Sequence, residues 1–312
     1  MDYILIISGF VILIIGAHFL VDGASGLAKR FNVPNMIIGL TVVAFGTSMP
    51  ELVVNLVAAL NPGSTDIALT NIIGSNTINT YIIIGIAALI FPIASSKSLR
   101  KFSIPLSIFA PLIVLLLAKG DAIITRTDGF VLLIFFAWFM IVMVNNTLSH
   151  PKKSHNIDFK PIKIWLALIM IAGGLGGLVG GAQLIVPSAT RIAESLGISQ
   201  AVIGLTIVAL GTSLPELATS VVAAFKKNTD IALGNVIGSN IFNVFLILGL
   251  SAVAQPLPVY KGMDTDLIIA TLASFLVLVF VYTNKHHKIK RWHGGLLISI
   301  YTGYLIWMIS GI

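Results

Sequence analysis

The sequence predicts an all-α polytopic membrane protein: ten transmembrane helices forming two inverted five-helix repeats, with broken helices at the centre. Only 10% of the 312 residues are charged and 57% are hydrophobic, whereas an average soluble domain is about 25% charged. Mean hydropathy is +1.01, and apolar runs of spanning length recur along the chain, unlike the alternation of a β-barrel strand. The segment Gly46-Thr47-Ser48-Met49-Pro50-Glu51 returns 165 residues later as Gly211-Thr212-Ser213-Leu214-Pro215-Glu216. The two halves of the chain are therefore related.

Apolar runs bounded by polar or Pro/Gly-containing stretches place helices at roughly 3–28, 36–60, 66–91, 102–118, 128–147, 162–190, 201–225, 230–253, 265–283 and 293–311. The first run, Tyr3 to Leu20, is followed by no A-x-A-like cleavage site and is expected to remain as a helix. Residues 1–148 form the first repeat and 162–312 the second, joined by a short polar, basic linker at 149–161. Taking loops alternately, one side receives fifteen Lys and Arg residues and the other only Lys119, Arg126, Arg191 and Lys261. By the positive-inside rule the first side, with the linker, is cytoplasmic and both termini lie outside. A unit of five spans that recurs once re-enters the membrane upside down. The loops agree: Lys29 and Arg30 follow the first helix, whereas the basic pair of the second half, Lys226 and Lys227, follows its second. This distribution accounts for the net charge of +7 without a nucleic-acid partner. The absence of cysteine excludes disulfides, iron–sulfur clusters and thiolate metal sites.

A charge deep in a bilayer costs from about 2.5 to more than 10 kcal/mol and usually marks an ion or proton path. Pro50 leaves the carbonyl of Gly46 without a donor and loosens the turn containing Ala44, Phe45 and Thr47. Freed carbonyls bind cations, and irregular backbone at membrane depth is tolerated where it is buried in protein or lines a wet cavity. The plainer reading is a proline kink with a snorkelling glutamate, and two matching copies argue against it. Residues 38–51 match 203–216 at eleven of fourteen positions, and 66–80 match 230–244 at ten of fifteen. The first block offers Thr47, Ser48 and Glu51, answered by Thr212, Ser213 and Glu216. The second offers Asn71, Ser75, Asn76 and Asn79, answered by Asn235, Ser239, Asn240 and Asn243. On a helix Thr47 and Glu51 share a face, as do Ser75 and Asn79, and Ser239 and Asn243. Hydroxyls, amides, carbonyls and two carboxylates suit calcium, sodium or magnesium and suit zinc or copper poorly. Magnesium demands near-octahedral geometry and dehydrates reluctantly, so a dry site made from broken helices suits calcium better.

The blocks IGLTVVAFGTSMPE and IGLTIVALGTSLPE, with DIALTNIIGSNTIN and DIALGNVIGSNIFN, resemble the α-repeats of the calcium/cation antiporter superfamily, and within it the prokaryotic sodium/calcium exchangers. The resemblance covers nearly the whole chain, with repeat motifs at 38–80 and 203–244. It implies an electrogenic antiporter that expels calcium as sodium enters by alternating access, with proton/calcium and potassium-dependent exchange as variants. It implies that Glu51 and Glu216 bridge calcium, with Thr47 and Thr212 as neighbouring ligands. The carbonyls of Ala44 and Ala209 and the side chains of Ser48, Ser75, Ser213 and Ser239 would complete flanking sodium sites, with Asn79 and Asn243 at the middle. Some relatives carry an aspartate where this chain has Asn243. Animal members hold a large regulatory domain where this chain has its linker, so none is expected here, nor any cofactor or obligate protein partner. Asn71, Asn76, Asn235 and Asn240 are weaker ligand candidates, because buried asparagines often satisfy backbone groups at a helix break.

Other residues read more blandly. His18 is expected to be a hydrogen-bonded structural histidine rather than a proton relay, Asp22 a solvated or capping residue, and Lys285 to Lys288 a head-group contact. The glycines between Gly173 and Gly181 are expected to pack a neighbouring helix closely; the resemblance suggests further that this smooth face lets the first and sixth helices slide past the ligand core. A channel with acidic selectivity rings is a rival, although duplicated broken-helix sites favour alternating access. No HExxH, G-x-S-x-G or P-loop supports an intramembrane enzyme.

Overall fold

The computed structural model describes residues 1–31, 33–60, 65–119, 122–149, 162–196, 209–260, 262–283 and 285–310. The linker from 150 onward and the opening of the second motif, 203–208, lie outside the described residues.

The chain folds as an all-α polytopic membrane protein. Helix α1 (Asp2–Arg30) leads to α2 (Asn35–Thr47), which bends by 45° into α3 (Met49–Leu60). Helix α4 (Thr65–Ile78) runs through a π-helical turn, Asn79–Ile83, into α5 (Ile84–Ile90). Another π turn, Leu99–Ser103, opens α6 (Ile104–Ala118), and α7 (Arg126–Ser149) follows. The later part comprises α8 (Ile164–Ser195), α9 (Ala209–Thr212) and α10 (Leu214–Phe225). Helix α11 (Thr229–Ile241) continues through the π segment Phe242–Leu248 into α12 (Gly249–Ala254), and α13 (Met263–Tyr282) and α14 (Arg291–Ser310) close the chain. Among the described residues, seven helices are long and apolar enough to cross a membrane, or eight with the bent α2–α3 pair taken as one span.

Burial separates a centre from a periphery. In the spanning windows of α4–α5 and α11–α12, 78% and 83% of residues are buried, against 33% in α1 and 28% in α8. The helices carrying the second polar block are thus the middle of the molecule, and the outer ones meet lipid with side chains such as Ile4, Phe10, Trp165 and Ile169. Leu13, Ala17, Leu20 and Leu178 fill a separate apolar cluster around α1 and α8.

The glycines of α8 split into two sets. A Cβ at Gly174 would lie 2.7 Å from the Leu20 nitrogen and one at Gly181 2.7 Å from the Gly9 oxygen, whereas nothing lies within 4 Å of one at Gly173, Gly176 or Gly180. The close-packing expectation is met, and the partner is α1. What α8 lays against the motif is Leu175, whose Cδ2 would stand 2.6 Å from a Cβ on Gly46, and Val186, whose Cγ2 would stand 2.4 Å from one on Gly211. The close-packed glycines of α8 thus face α1, and branched side chains of α8 meet the motif glycines. Centrally, a Cβ on Gly238 of α11 would lie 2.7 Å from that of Ala44, so the glycine lets α11 lie against α2.

Two antiparallel pairings of two-residue strands tie loops together: β1 (Ile93–Ala94) with β4 (Lys288–Ile289), and β2 (Ile123–Ile124) with β3 (Leu257–Pro258). Sequence periodicity did not predict them. The loop carrying Lys285 to Lys288 takes part in the β1–β4 pairing through its backbone, the His287 carbonyl accepting from the Ser95 nitrogen at 2.9 Å and Lys288 lying in β4, while the side chains of Lys285 and Lys288 stay exposed. His18 meets its expectation through a 2.9 Å contact between Nδ1 and the Ile14 oxygen one turn back. Asp22, its side chain 39% exposed, forms an ion pair 2.5 Å from the Lys226 ammonium.

Candidate ion-binding site

The motif folds the same way in both halves. Pro50 has no N–H to return to Gly46, so α2 ends at Thr47 and Ser48 adopts φ −85°, ψ 7° before α3 begins. Ser213 adopts φ −86°, ψ 2° between α9 and α10, with Pro215 in the first turn of α10. The chain stays tied across each break: the Leu52 nitrogen donates to the Ser48 oxygen at 3.1 Å, and the Leu217 nitrogen to the Ser213 oxygen at 3.0 Å. Thr47 and Glu51, expected to share a helical face, stand on opposite sides of this break. The proline that signalled the site also interrupts the spacing on which that expectation rested.

The candidate side chains converge out of contact with lipid. Glu51, Glu216, Thr47, Ser75, Ser239, Asn79 and Asn243 are 0% exposed, Ser48 2% and Ser213 1%. Ala44 is buried, Thr212 is half-buried, and Ala209 opens the described part of its helix. Ser48 donates to Glu216 Oε1 at 2.9 Å and Ser239 donates to the same oxygen at 3.2 Å, so the second carboxylate reaches the first break. Ser75 and Thr212 share a hydroxyl contact of 3.4 Å. The hydrogen bonds are reciprocal between the halves. Thr47 donates to Asn235 Oδ1 at 3.1 Å, and Thr212 to Asn71 Oδ1 at 3.3 Å. Asn71 Nδ2 in turn donates to Asn55, and Asn235 Nδ2 to Ser220.

Sequence reasoning missed Asn55 and Ser220. Their signal was present: each is a polar residue four positions after a motif glutamate, and they are 165 residues apart. The π segments were also unforeseen. One of them begins at Asn79 and another contains Asn243, so two of the widened turns carry a candidate amide.

Buried polar atoms are normally paired, and those that are not call for an explanation. Among the described residues, seven buried side-chain atoms lack a partner: both oxygens of Glu51, Glu216 Oε2, Asn79 Oδ1, Asn243 Oδ1, Ser213 Oγ and Thr219 Oγ1. All are oxygens, and six belong to residues singled out from sequence. Among the described residues the salt bridges are Arg191–Asp2 and Lys226–Asp22, and neither involves these carboxylates. Unpaired acceptors with no protein cation beside them have the electrostatics of a hard-cation shell. Two carboxylates leave the remaining ligands to hydroxyl, amide and carbonyl oxygens.

Fold and site together have the character of a membrane protein that holds hard cations inside the bilayer. The particular family follows from comparison: the profile of the family described as "Sodium/calcium exchanger protein" matches residues 1–145 and 166–310, and the chain belongs to that family. It is 38% identical over 311 residues to a putative antiporter, CaxA, of Alkalimonas amylolytica, covering 96% of each chain. It is 32% identical over 346 residues to the sodium/calcium exchanger MaX1 of Methanosarcina acetivorans, covering 98% of this chain and 97% of the other. A solved structure of the sodium-calcium exchanger NCX_Mj, soaked with 2.5 mM Na+ and 10 mM Sr2+, superposes with a TM-score of 0.83 at 33% identity, covering 100% and 98% of the two chains.

Proposed function

We propose that this protein exchanges sodium for calcium across the membrane, with Glu51 and Glu216 as the shared carboxylates of the transported ions. The observation that carries the reading is the set of buried, unpartnered oxygens on Glu51, Glu216, Asn79, Asn243 and Ser213. One divalent ion, or a small number of monovalent ones, would balance the two carboxylates. The same pair cannot hold calcium and a full sodium complement together, and this competition couples the flows. A cycle that admits more sodium charge than the calcium charge it expels is electrogenic. Thr47, Thr212, Ser48, Ser75, Ser213, Ser239 and the backbone of Ala44 and Ala209 complete the shell in this reading.

The proposed architecture is ten spans in two inverted repeats, 1–148 and 162–312, with the linker 149–161 cytoplasmic and both termini outside. Several contacts support it because they join segments that this topology puts on one side. They are β1 with β4, β2 with β3, Arg191 with Asp2, and Lys226 with Asp22. The reciprocal Thr47–Asn235 and Thr212–Asn71 bonds support a two-fold relation between the repeats. Alternating access follows from placing a single site at their junction.

The test is calcium uptake into proteoliposomes loaded with sodium, potassium or a pH gradient. We expect uptake driven by sodium and lost in Glu51→Gln and Glu216→Gln. Uptake driven by the pH gradient alone overturns the sodium assignment, a strict potassium requirement replaces it with the potassium-dependent variant, and full uptake in both variants overturns the site.

A further inference from the structure

Resting on that reading, we propose that Asn76 and Asn240 are positioning residues. Each locks the side-chain amide of a ligand asparagine in the opposite half, so that Asn79 and Asn243 turn oxygen rather than nitrogen toward the ion.

The argument runs through proton inventories. Asn243 Nδ2 donates to Asn76 Oδ1 at 3.0 Å, and Asn79 Nδ2 donates to Asn240 Oδ1 at 3.2 Å. An amide oxygen and nitrogen exchange places by a simple flip, so these two bonds mean something only if the acceptors are themselves fixed. Both are. Asn76 Nδ2 donates to the backbone oxygen of Asn240 at 3.1 Å, and a carbonyl only accepts, so Asn76 must present its oxygen to Asn243. Asn240 Nδ2 donates to Thr80 Oγ1 at 2.7 Å. That hydroxyl has one proton, committed to the Asn76 carbonyl at 2.9 Å, so it can only accept from Asn240. Flipping Asn79 or Asn243 would then bring two acceptors together. Their Oδ1 atoms are the ones left buried and unpartnered. Asn76 and Asn240 each use Oδ1 to accept from the opposite half, and neither oxygen is among the unpartnered ones. They are 6% and 3% exposed, and they support the shell from behind.

The geometry makes the coupling specific. Asn240 acts on Asn79, across the halves, and not on Asn243, which is three residues away on its own helix. The experiment is calcium binding to the detergent-purified full chain, followed by titration calorimetry, with sodium competition measured on the same samples. Asn240→Leu is expected to weaken calcium binding about tenfold, the size of one lost buried hydrogen bond. In an Asn79→Ala background the same substitution should change affinity less than twofold, whereas in an Asn243→Ala background its full effect should persist. Asn76→Leu should behave conversely, silent with Asn243→Ala and active with Asn79→Ala. Additive effects in the cross-half pair, or non-additivity along α11 instead, overturn the proposal. So does unchanged calcium affinity in Asn240→Leu or Asn76→Leu that elutes as a single species. Where a leucine variant fails to fold, Asn240→Ser and Asn76→Ser, too short to reach the partner amide, take its place in the same cycles. Failure of the underlying site reading is distinguishable, because Glu51→Gln would then bind calcium as the unmodified protein does.

Discussion

Replacing the glycines of α8 by alanine one at a time should produce opposite outcomes at neighbouring positions. A Cβ at Gly174 falls 2.7 Å from the Leu20 nitrogen and 2.8 Å from the Gly16 oxygen, about 0.7 Å short of an ordinary 3.4 Å contact. Both obstacles are backbone, so no rotamer change relieves them and α1 must move away. Overpacking of this kind costs about 1–3 kcal/mol, offset by the roughly 1 kcal/mol by which alanine outranks glycine in a helix. At Gly176 nothing lies within 4 Å, so only the helix preference remains. Comparing two sites on one helix cancels that preference, which leaves Gly174→Ala less stable than Gly176→Ala by about 1–3 kcal/mol. Gly181→Ala should group with Gly174→Ala, and Gly180→Ala with Gly176→Ala. The assay is reversible denaturation in detergent, read by the loss of helical circular dichroism. Equal stability at the four positions would falsify the assignment of the α1–α8 seam to this set of glycines.

Three further outcomes follow. Millimolar calcium should raise the Tm of the purified protein by mass action, about 2.7 kcal/mol at a hundredfold excess over Kd, and should leave Glu51→Gln unmoved; a calcium shift that survives in Glu51→Gln argues against the carboxylate site. Asn228 accepts from the Ile231 nitrogen at 3.3 Å as the N-cap of α11 and donates to Ser25 at 3.0 Å, so Asn228→Ala should cost about 1–2 kcal/mol, and a change below a few tenths in the same denaturation assay refutes the capping role. Lys226→Ala, by contrast, removes a partly exposed ion pair with Asp22 and should cost no more than about 1 kcal/mol, shrinking further in high salt. A large, salt-independent loss would show that this pair matters more than its exposure implies.

Much of the fold was legible because a bilayer permits few solutions. Apolar runs gave helix positions to within a few residues, as for 3–28 against Asp2–Arg30 and 265–283 against Met263–Tyr282. The reading stopped the sixth helix at 190, where polar residues begin, but α8 continues to Ser195 with Arg191 clasping Asp2. An ion pair spanning 189 residues leaves no local trace. The site was legible because the carboxylate, the proline and the hydroxyls recur. The ranking of Asn79 and Asn243 above Asn76 and Asn240 came from resemblance alone, since Asn76 and Asn79 are the same residue type three apart, and what Asn76 and Asn240 bond to could not be read from the chain. The π turns were illegible for a similar reason: the five residues Asn79–Ile83 carry no propensity that separates one extra residue per turn from an ordinary helix.

The paired strands have a consequence for biogenesis. Ile93–Ala94 waits for Lys288–Ile289, and Ile123–Ile124 for Leu257–Pro258. The early part of the chain therefore leaves the ribosome with its loop partners still unsynthesised, and each closes only when the far end arrives. Assembly is completed late, from the C-terminal end, and a chain expressed as two fragments divided at the linker would yield stable protein only when both are made in the same cell.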